Sequence, residues 1–142
     1  PTPTITPTPI PHLSTAVEVQ IEVAPLRYSV GDPGGITITV TNLLDRDVYI
    51  KSMLIWLPYN TLQFFVIDPG TCDLDTGLFG LGQHIACDEF ILPASESGSM
   101  VFLISPKEAG NYEGEVSVEL NPGSDFYGIE EDAIWVEIVV TP

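Results

Sequence analysis

Positive charge is scarce in this sequence of 142 residues. Only four lysines and arginines accompany twenty aspartates and glutamates, which gives a formal net charge of -16. Phosphate groups repel such a chain, so the charge balance excludes nucleic acid and an anionic membrane surface as partners. Calcium, a basic partner or solubility alone could use the excess of acids.

Long apolar runs are also missing. No run approaches the roughly 18 residues of a membrane-spanning helix, so we expect no membrane insertion. The sequence shows neither an initiator methionine nor a signal peptide, and we expect a processed product or a piece of something longer. No window has helical periodicity over three turns, which argues against helices and parallel βαβ units.

Cysteine is nearly absent, since Cys72 and Cys87 are the only two. A disulfide between them would close a Gly-rich loop and stabilise the fold by about 3 kcal/mol. It would need an oxidising compartment. Two reduced buried thiols or a metal pair are the alternatives, although two cysteines without close His support make a poor zinc site. We predict the disulfide.

The sequence does contain about eight short segments in which apolar and polar residues mostly alternate. Residues 16–23 and 36–42 are the clearest, and Pro/Gly turn signals separate the segments. We therefore predict an all-β fold, an antiparallel β-sandwich of about seven to eight strands over residues 15–142. The segments MLIWL and MVFLI are apolar on both faces, so we expect a loop, the tail or another subunit to cover the second face.

Residues 1–14 form a Thr/Pro-rich tail or linker in front of this domain. Five prolines and four threonines in the first eleven residues favour a stiff, extended rod. Thr/Pro tracts are typical of O-glycosylated stalks, which makes Thr2, Thr4, Thr6 and Thr8 candidate glycosylation sites. The spacing of the apolar residues suits shallow pockets on a neighbouring copy, and the predicted tail-docking residues are Ile5, Ile10 and Leu13.

The segment YSVGDPGGITITVTN resembles the opening of the conserved-repeat, immunoglobulin-like domains of bacterial surface proteins. The matching positions are Gly31, Asp32, Thr39, Thr41, Asn42 and, later, Pro58. The resemblance covers about residues 16–120, and the family is similar in architecture to bacterial cell-adhesion-related domains. It implies an immunoglobulin-like sandwich on a cell surface, used as a spacer, adhesin module or assembly unit, with no active site.

Patterns of catalytic residues are missing, because no G-x-S-x-G occurs and neither histidine has a readable partner. We therefore expect no enzyme activity and no cofactor other than calcium. A loop trio of carboxylates could hold that ion, and the candidates are Glu130, Glu131 and Asp132, with a solvated acidic turn as the alternative. Trp56, Tyr59, Phe64 and Phe65 lie near a strand–turn–strand, and we expect them to pack in the core; a sugar-binding platform on an exposed face is the alternative.

These observations predict a non-catalytic extracellular structural module at the cell surface. We expect a self-assembling surface or filament subunit whose N-terminal tail docks on a neighbouring copy, so that its partners are copies of itself. The alternatives are an adhesive domain that binds a glycan and one bead of a tandem surface-protein stalk.

Overall fold

The computed structural model describes residues 16–57, 65–76, 83–122 and 130–142, and eleven β-strands lie within these ranges. The first six strands are β1 (Val17–Ala24), β2 (Arg27–Ser29), β3 (Gly34–Asn42), β4 (Val48–Leu57), β5 (Phe65–Asp68) and β6 (Asp73–Thr76). The other five strands are β7 (Gln83–Cys87), β8 (Phe90–Leu92), β9 (Ser97–Pro106), β10 (Gly110–Pro122) and β11 (Glu130–Thr141).

Two sheets form a sandwich. The smaller sheet has the strand order β1-β3-β9-β5, and the larger has the order β2-β11-β10-β4-β7-β6, with β8 beside β4. All of these pairs are antiparallel except β2 with β11. This arrangement confirms the predicted sandwich.

Alternation along the strands builds the core between the sheets. On β3 the side chains of Ile36, Ile38 and Val40 are buried, and on β10 those of Val116, Val118 and Leu120 are buried. Successive side chains of a strand point to opposite faces, so the threonines of β3 and the glutamates of β10 lie on the outer faces. Burial of one face of each sheet fixes the strand register.

The chain changes sheets between β1 and β2. β1 pairs with β3 in the smaller sheet, whereas β2 pairs with the last three residues of β11 in the larger sheet. The amide of Val139 donates a hydrogen bond to the carbonyl of Leu26 at 3.0 Å, just before β2 begins. One continuous segment therefore supplies an edge strand to each sheet.

The structure differs from the sequence expectations in three local features. The sequence pattern predicts no strand at RYS and a turn over DPGTCDLDTG, but RYS forms β2 and the residues around Asp73 form β6. It predicts one strand over GQHIACDEFIL, and this segment is divided into β7 and β8. The second faces of the two doubly apolar segments are also open among the described residues. Val101 and Leu103 on β9 are 53% and 55% exposed, and Trp56 on β4 is 41% exposed.

Candidate functional site

The larger sheet has an incompletely paired edge. β10 pairs with one side of β11 from Glu130 to Val140, but β2 covers the other side only at Val139–Thr141. Within the described part of the chain, no strand pairs with residues 130–138 on this outer side. An open strand edge presents backbone donors and acceptors that another extended segment can use.

A cleft runs along this open edge, between β11 and the edge strand β1 of the other sheet. We call it the edge cleft, and its volume is about 490 Å³. Its lining residues are Ile21, Glu22, Val23, Leu26, Arg27, Ile134, Trp135, Val136, Glu137 and Val139. Most of these side chains are apolar, so the edge cleft can bury apolar side chains beside unpaired backbone.

The direction of the amides on β11 follows from one hydrogen bond. The Val139 amide donates to the carbonyl of Leu26, on the side of β11 that faces away from β10. Successive amides of a strand alternate in direction, so the amides of Trp135 and Glu137 point to the same open edge. The amide of Ala133 has the same direction and donates to Asp132 Oδ1 at 3.0 Å. The open edge therefore offers amides at Trp135 and Glu137 for a further strand.

The predicted disulfide between Cys72 and Cys87 is confirmed. The two Cα atoms are 4.7 Å apart, and the described residues contain no free cysteine. The register of β6 and β7 explains the contact, because Asp73 lies opposite Ala86 and one step further places Cys72 opposite Cys87. A disulfide is consistent with an oxidising compartment outside the cell.

Other predicted site residues lie outside the described residues. These are the tail-docking residues Ile5, Ile10 and Leu13 and the glycosylation candidates Thr2, Thr4, Thr6 and Thr8. Their roles stay predictions.

The predicted calcium ligands Glu130, Glu131 and Asp132 form the start of β11 and not a loop. They lie opposite Leu120, Glu119 and Val118 of β10, and pairing with that long strand extends β11 back to Glu130. Among the side chains that the structure describes, no group of three or more His, Cys, Asp or Glu residues could hold a metal ion. The calcium site stays a prediction.

The expectation that Trp56 packs in the core is wrong, whereas Phe65 is buried as expected. In the second half of β4 the buried side chains are those of Met53, Ile55 and Leu57, so Trp56 has the opposite orientation and lies on the outer face. Its ring centroid is 5.1 Å from that of His84 on β7. The alternation of apolar residues around Trp56 is ambiguous because Leu54 is apolar too, which is why the sequence did not reveal this orientation.

A second tryptophan shares the outer face of the larger sheet. Trp135 on β11 is 66% exposed, and Glu115 lies opposite it on β10. The indole Nε1 of Trp56 donates to Glu119 Oε2 on β10 at 3.3 Å. We call Trp56, His84 and Trp135 the aromatic face. The sequence pattern did not reveal this face, because it predicts Trp56 in the core and does not show which side chains of distant strands lie on the same outer face.

No helix in the described ranges is long and apolar enough to cross a membrane. Comparison with family models gives no match, and comparison with curated proteins gives none either. Membership of the bacterial surface-repeat family therefore stays a prediction.

Solved structures do share the fold. An ASH/PapD-like domain of human CEP192 matches with a TM-score of 0.53 and 14% identity over 99% of this chain and 94% of that chain. The macrocyclization catalyst AvmM matches with a TM-score of 0.53 and 14% identity over 90% of this chain and 91% of that chain. Escherichia coli alpha-2-macroglobulin matches with a TM-score of 0.52 and 14% identity over 89% of this chain and only 7% of that chain.

These similarities confirm an immunoglobulin-like β-sandwich fold. At 14% identity they show the fold alone. One of the neighbours is a catalyst, so the fold does not by itself decide whether the chain is an enzyme.

Proposed function

We propose that the protein is a non-catalytic extracellular structural module that assembles with copies of itself, and that the N-terminal tail of one copy docks in the edge cleft of the next. The observation that carries this proposal is the open edge of β11 above an apolar cleft. Extended segments commonly bind in this way, because the backbone supplies hydrogen bonds and the side chains enter pockets.

The tail has side chains that suit the edge cleft. Burial of Ile5, Ile10 and Leu13 would contribute about 5 kcal/mol before the cost of ordering the tail. The frequent prolines reduce that cost, because they restrict the free tail to extended conformations. A contact from the tail of one copy to the cleft of the next uses two different surfaces, and such contacts build rings or filaments.

Deletion of residues 1–13 tests the proposal. We expect the truncated protein to unfold cooperatively but to stay monomeric at concentrations where the full chain assembles, as measured by light scattering and electron microscopy. Assembly of the truncated protein at the level of the full chain would contradict the proposal and would leave the tail as a spacer between tandem domains.

A matched pair of variants tests the cleft side of the contact. Ile21 lines the edge cleft, whereas the exposed side chain of Gln20 lies on the opposite face of the same strand. We expect I21K to abolish assembly because it places a charge in the cleft, and we expect Q20K to assemble normally. Equal effects of the two variants would argue against the edge cleft as the docking site.

The aromatic face supports a second candidate function, the binding of a glycan. Indole rings on a flat sheet can stack on the C–H faces of sugar rings. Glu115 and Glu119 beside the rings can accept hydrogen bonds from hydroxyl groups. The carboxylates would repel acidic sugars, so the fitting ligand is a neutral polysaccharide.

Affinity electrophoresis in gels that contain neutral polysaccharides tests this second candidate. We expect W56A to lose retardation and V101A, which changes an exposed residue of the smaller sheet, to keep it. If the wild-type protein migrates equally with and without every polysaccharide, the glycan function is wrong.

A further inference from the structure

The tail has two chemically different sets of alternate residues. The odd positions are all apolar and hold Pro1, Pro3, Ile5, Pro7, Pro9, Pro11 and Leu13. The even positions up to residue 12 hold Thr2, Thr4, Thr6, Thr8, Ile10 and His12. Successive side chains of an extended strand point to opposite faces, so a strand of this sequence would have one wholly apolar face and one mainly of threonine.

The same alternation decides where such a strand can form hydrogen bonds. Successive residues direct their N–H and C=O groups to opposite edges of a strand. Proline has no N–H, and every proline of the tail is at an odd position. The even edge would therefore keep all of its donors, whereas the odd edge would keep donors only at Ile5 and Leu13. The tail can join one sheet edge but is a poor template for a further strand.

We propose that the tail of a neighbouring copy adds to the open edge of β11 as an antiparallel strand, with its even residues hydrogen-bonded to β11 and its odd residues in the edge cleft. In this geometry Ile5 and Leu13 enter the cleft, whereas Ile10, at an even position, lies on the outer face, so the contact buries two of the three predicted docking residues. This inference rests on the proposed function and specifies the geometry of the contact. Nine residues of β11 span about 30 Å, and thirteen tail residues span about 43 Å, so the tail is long enough.

The direction follows from the backbone of β11. The residues of β11 whose amides face the open edge, Trp135 and Glu137, are those whose side chains point away from the core. In a parallel neighbour, residues with outward side chains would direct their amides to the same side as those of β11, which is the side away from β11. An antiparallel neighbour reverses the relation, and its outward residues then donate to β11. Only an antiparallel strand lets the even residues of the tail donate to β11 while the apolar odd residues point into the edge cleft.

The length of the connection favours the tail of another copy over the chain's own tail. Three Cα–Cα steps separate Leu13 from Ala16 and span at most about 11 Å. Ala16 directly precedes β1, in the opposite sheet, and packed sheets are about 10 Å apart. If the chain's own tail lay antiparallel to β11, residues 14 and 15 would have to cross between the sheets and also reverse the chain direction into β1. The tail of a neighbouring copy does not have to make this connection.

Proline substitutions at even positions test the hydrogen-bonding edge. The double variant T4P/T6P removes two donors from the edge that we assign to β11, and the matched variant T4V/T6V keeps both amides. We expect T4P/T6P to weaken assembly at least about tenfold, since backbone hydrogen bonds are lost at the contact, and T4V/T6V to assemble within about twofold of the wild type. Sedimentation velocity of the full chain measures both.

Charged substitutions at neighbouring positions test the direction. An antiparallel strand places Ile5 in the cleft and Thr6 in solvent, so I5D should abolish assembly and T6D should not. A parallel strand that uses the same donors predicts the reverse. Loss of assembly in T6D with retention in I5D would overturn the antiparallel assignment.

The outcomes separate this inference from the proposed function. If deletion of residues 1–13 abolishes assembly but T4P/T6P assembles normally, the tail docks without strand pairing, and only this inference fails. If the full chain stays monomeric under every condition, both the proposed function and the assignment to a neighbouring copy are wrong.

Discussion

Tyr28 on β2 is a buried residue with an unsatisfied polar group. Its side chain is 3% exposed and contacts the ring of Phe65 edge-on, with the ring centroids 6.0 Å apart. Among the described residues, its hydroxyl has no hydrogen-bond partner. A buried hydroxyl without a partner destabilises the folded state. We expect Y28F to leave the free energy of unfolding unchanged or to raise it. A loss of more than about 1 kcal/mol in urea unfolding would show that the hydroxyl has a partner.

Tyr28 also predicts how the stability responds to alkaline pH. Burial raises the pKa of its phenol to about 12 from the ordinary value of 10.0. Between pH 10 and 12 the unfolded chain releases the Tyr28 proton while the folded chain retains it, so the free energy of unfolding falls as the pH rises through this range. We expect Y28F to show a smaller fall than the wild type in urea unfolding at successive pH values. An equal fall would assign the effect to other groups.

Asn42, at the end of β3, links the ends of several segments. Its side-chain amide donates to the carbonyls of Arg46 and Leu92 at 2.8 and 3.0 Å, and its oxygen accepts a hydrogen bond from the Leu44 amide at 2.9 Å. The sequence accounts for the local bonds that end the strand, because asparagine commonly bonds to nearby backbone. It did not predict the bond to Leu92, because that contact depends on how distant strands pack.

Replacement of Asn42 by alanine should therefore be costly. N42A leaves the Leu92 carbonyl and the Leu44 amide without this partner, and we expect a loss of about 3 kcal/mol in the free energy of unfolding. Thr41 is a suitable control, because its hydroxyl forms an exposed bond to Ser97 Oγ. T41A should cost much less in the same chemical denaturation experiment. Equal costs would show that the Asn42 network contributes little.

At the scale of elements, the disulfide holds the short β6 against β7. β6 has four residues, and among the strands of the described ranges it pairs only with β7. We expect C72A/C87A to lower the free energy of unfolding by about 3 kcal/mol, mainly because the unfolded chain gains freedom. Hydrogen exchange of the β6 amides should rise more than that of the β3 amides. Unchanged exchange at β6 would show that the strand does not need the covalent link.

The strands that the sequence predicted best are those with regular alternation. In β1 and β3 the pattern of valines, isoleucines and threonines defines both the strand and its buried face. The short strands β2 and β8 were not separated in advance, because three residues carry too little periodicity. The segment around β6 predicts a turn because it is rich in Gly and other turn-forming residues, and pairing with β7 overrides that preference.

The candidate site was less predictable than the fold. The edge cleft combines Ile21 and Val23 with Ile134 and Val136, more than a hundred residues further along the chain. Alternation showed that each of these residues faces inward, but it does not show which strands lie at the sheet edges or where a partner strand ends. The open part of β11 depends on β2 covering only three residues.

At the scale of the whole molecule, net charge should control assembly. Copies that each carry a formal net charge of -16 repel one another. Salt screens that repulsion, because the Debye length falls from about 10 Å at 0.1 M to about 3 Å at 1 M. We expect the critical concentration for assembly, measured by light scattering, to fall as sodium chloride is raised. A rise would show that ion pairs across the contact outweigh the general repulsion.

The parallel pairing of β2 with β11 also has a mechanical consequence. Because β1 leads directly into β2, and β2 runs parallel to β11, Val17 and Thr141 lie at opposite ends of the sandwich. A tensile force between these ends acts along the strands and loads the β2–β11 contact in shear. The bonds Val30 N–Thr141 O, Thr141 Oγ1–Tyr28 O and Val139 N–Leu26 O would have to break together and not one after another. We therefore expect the domain to resist tension along its strands better than tension across them.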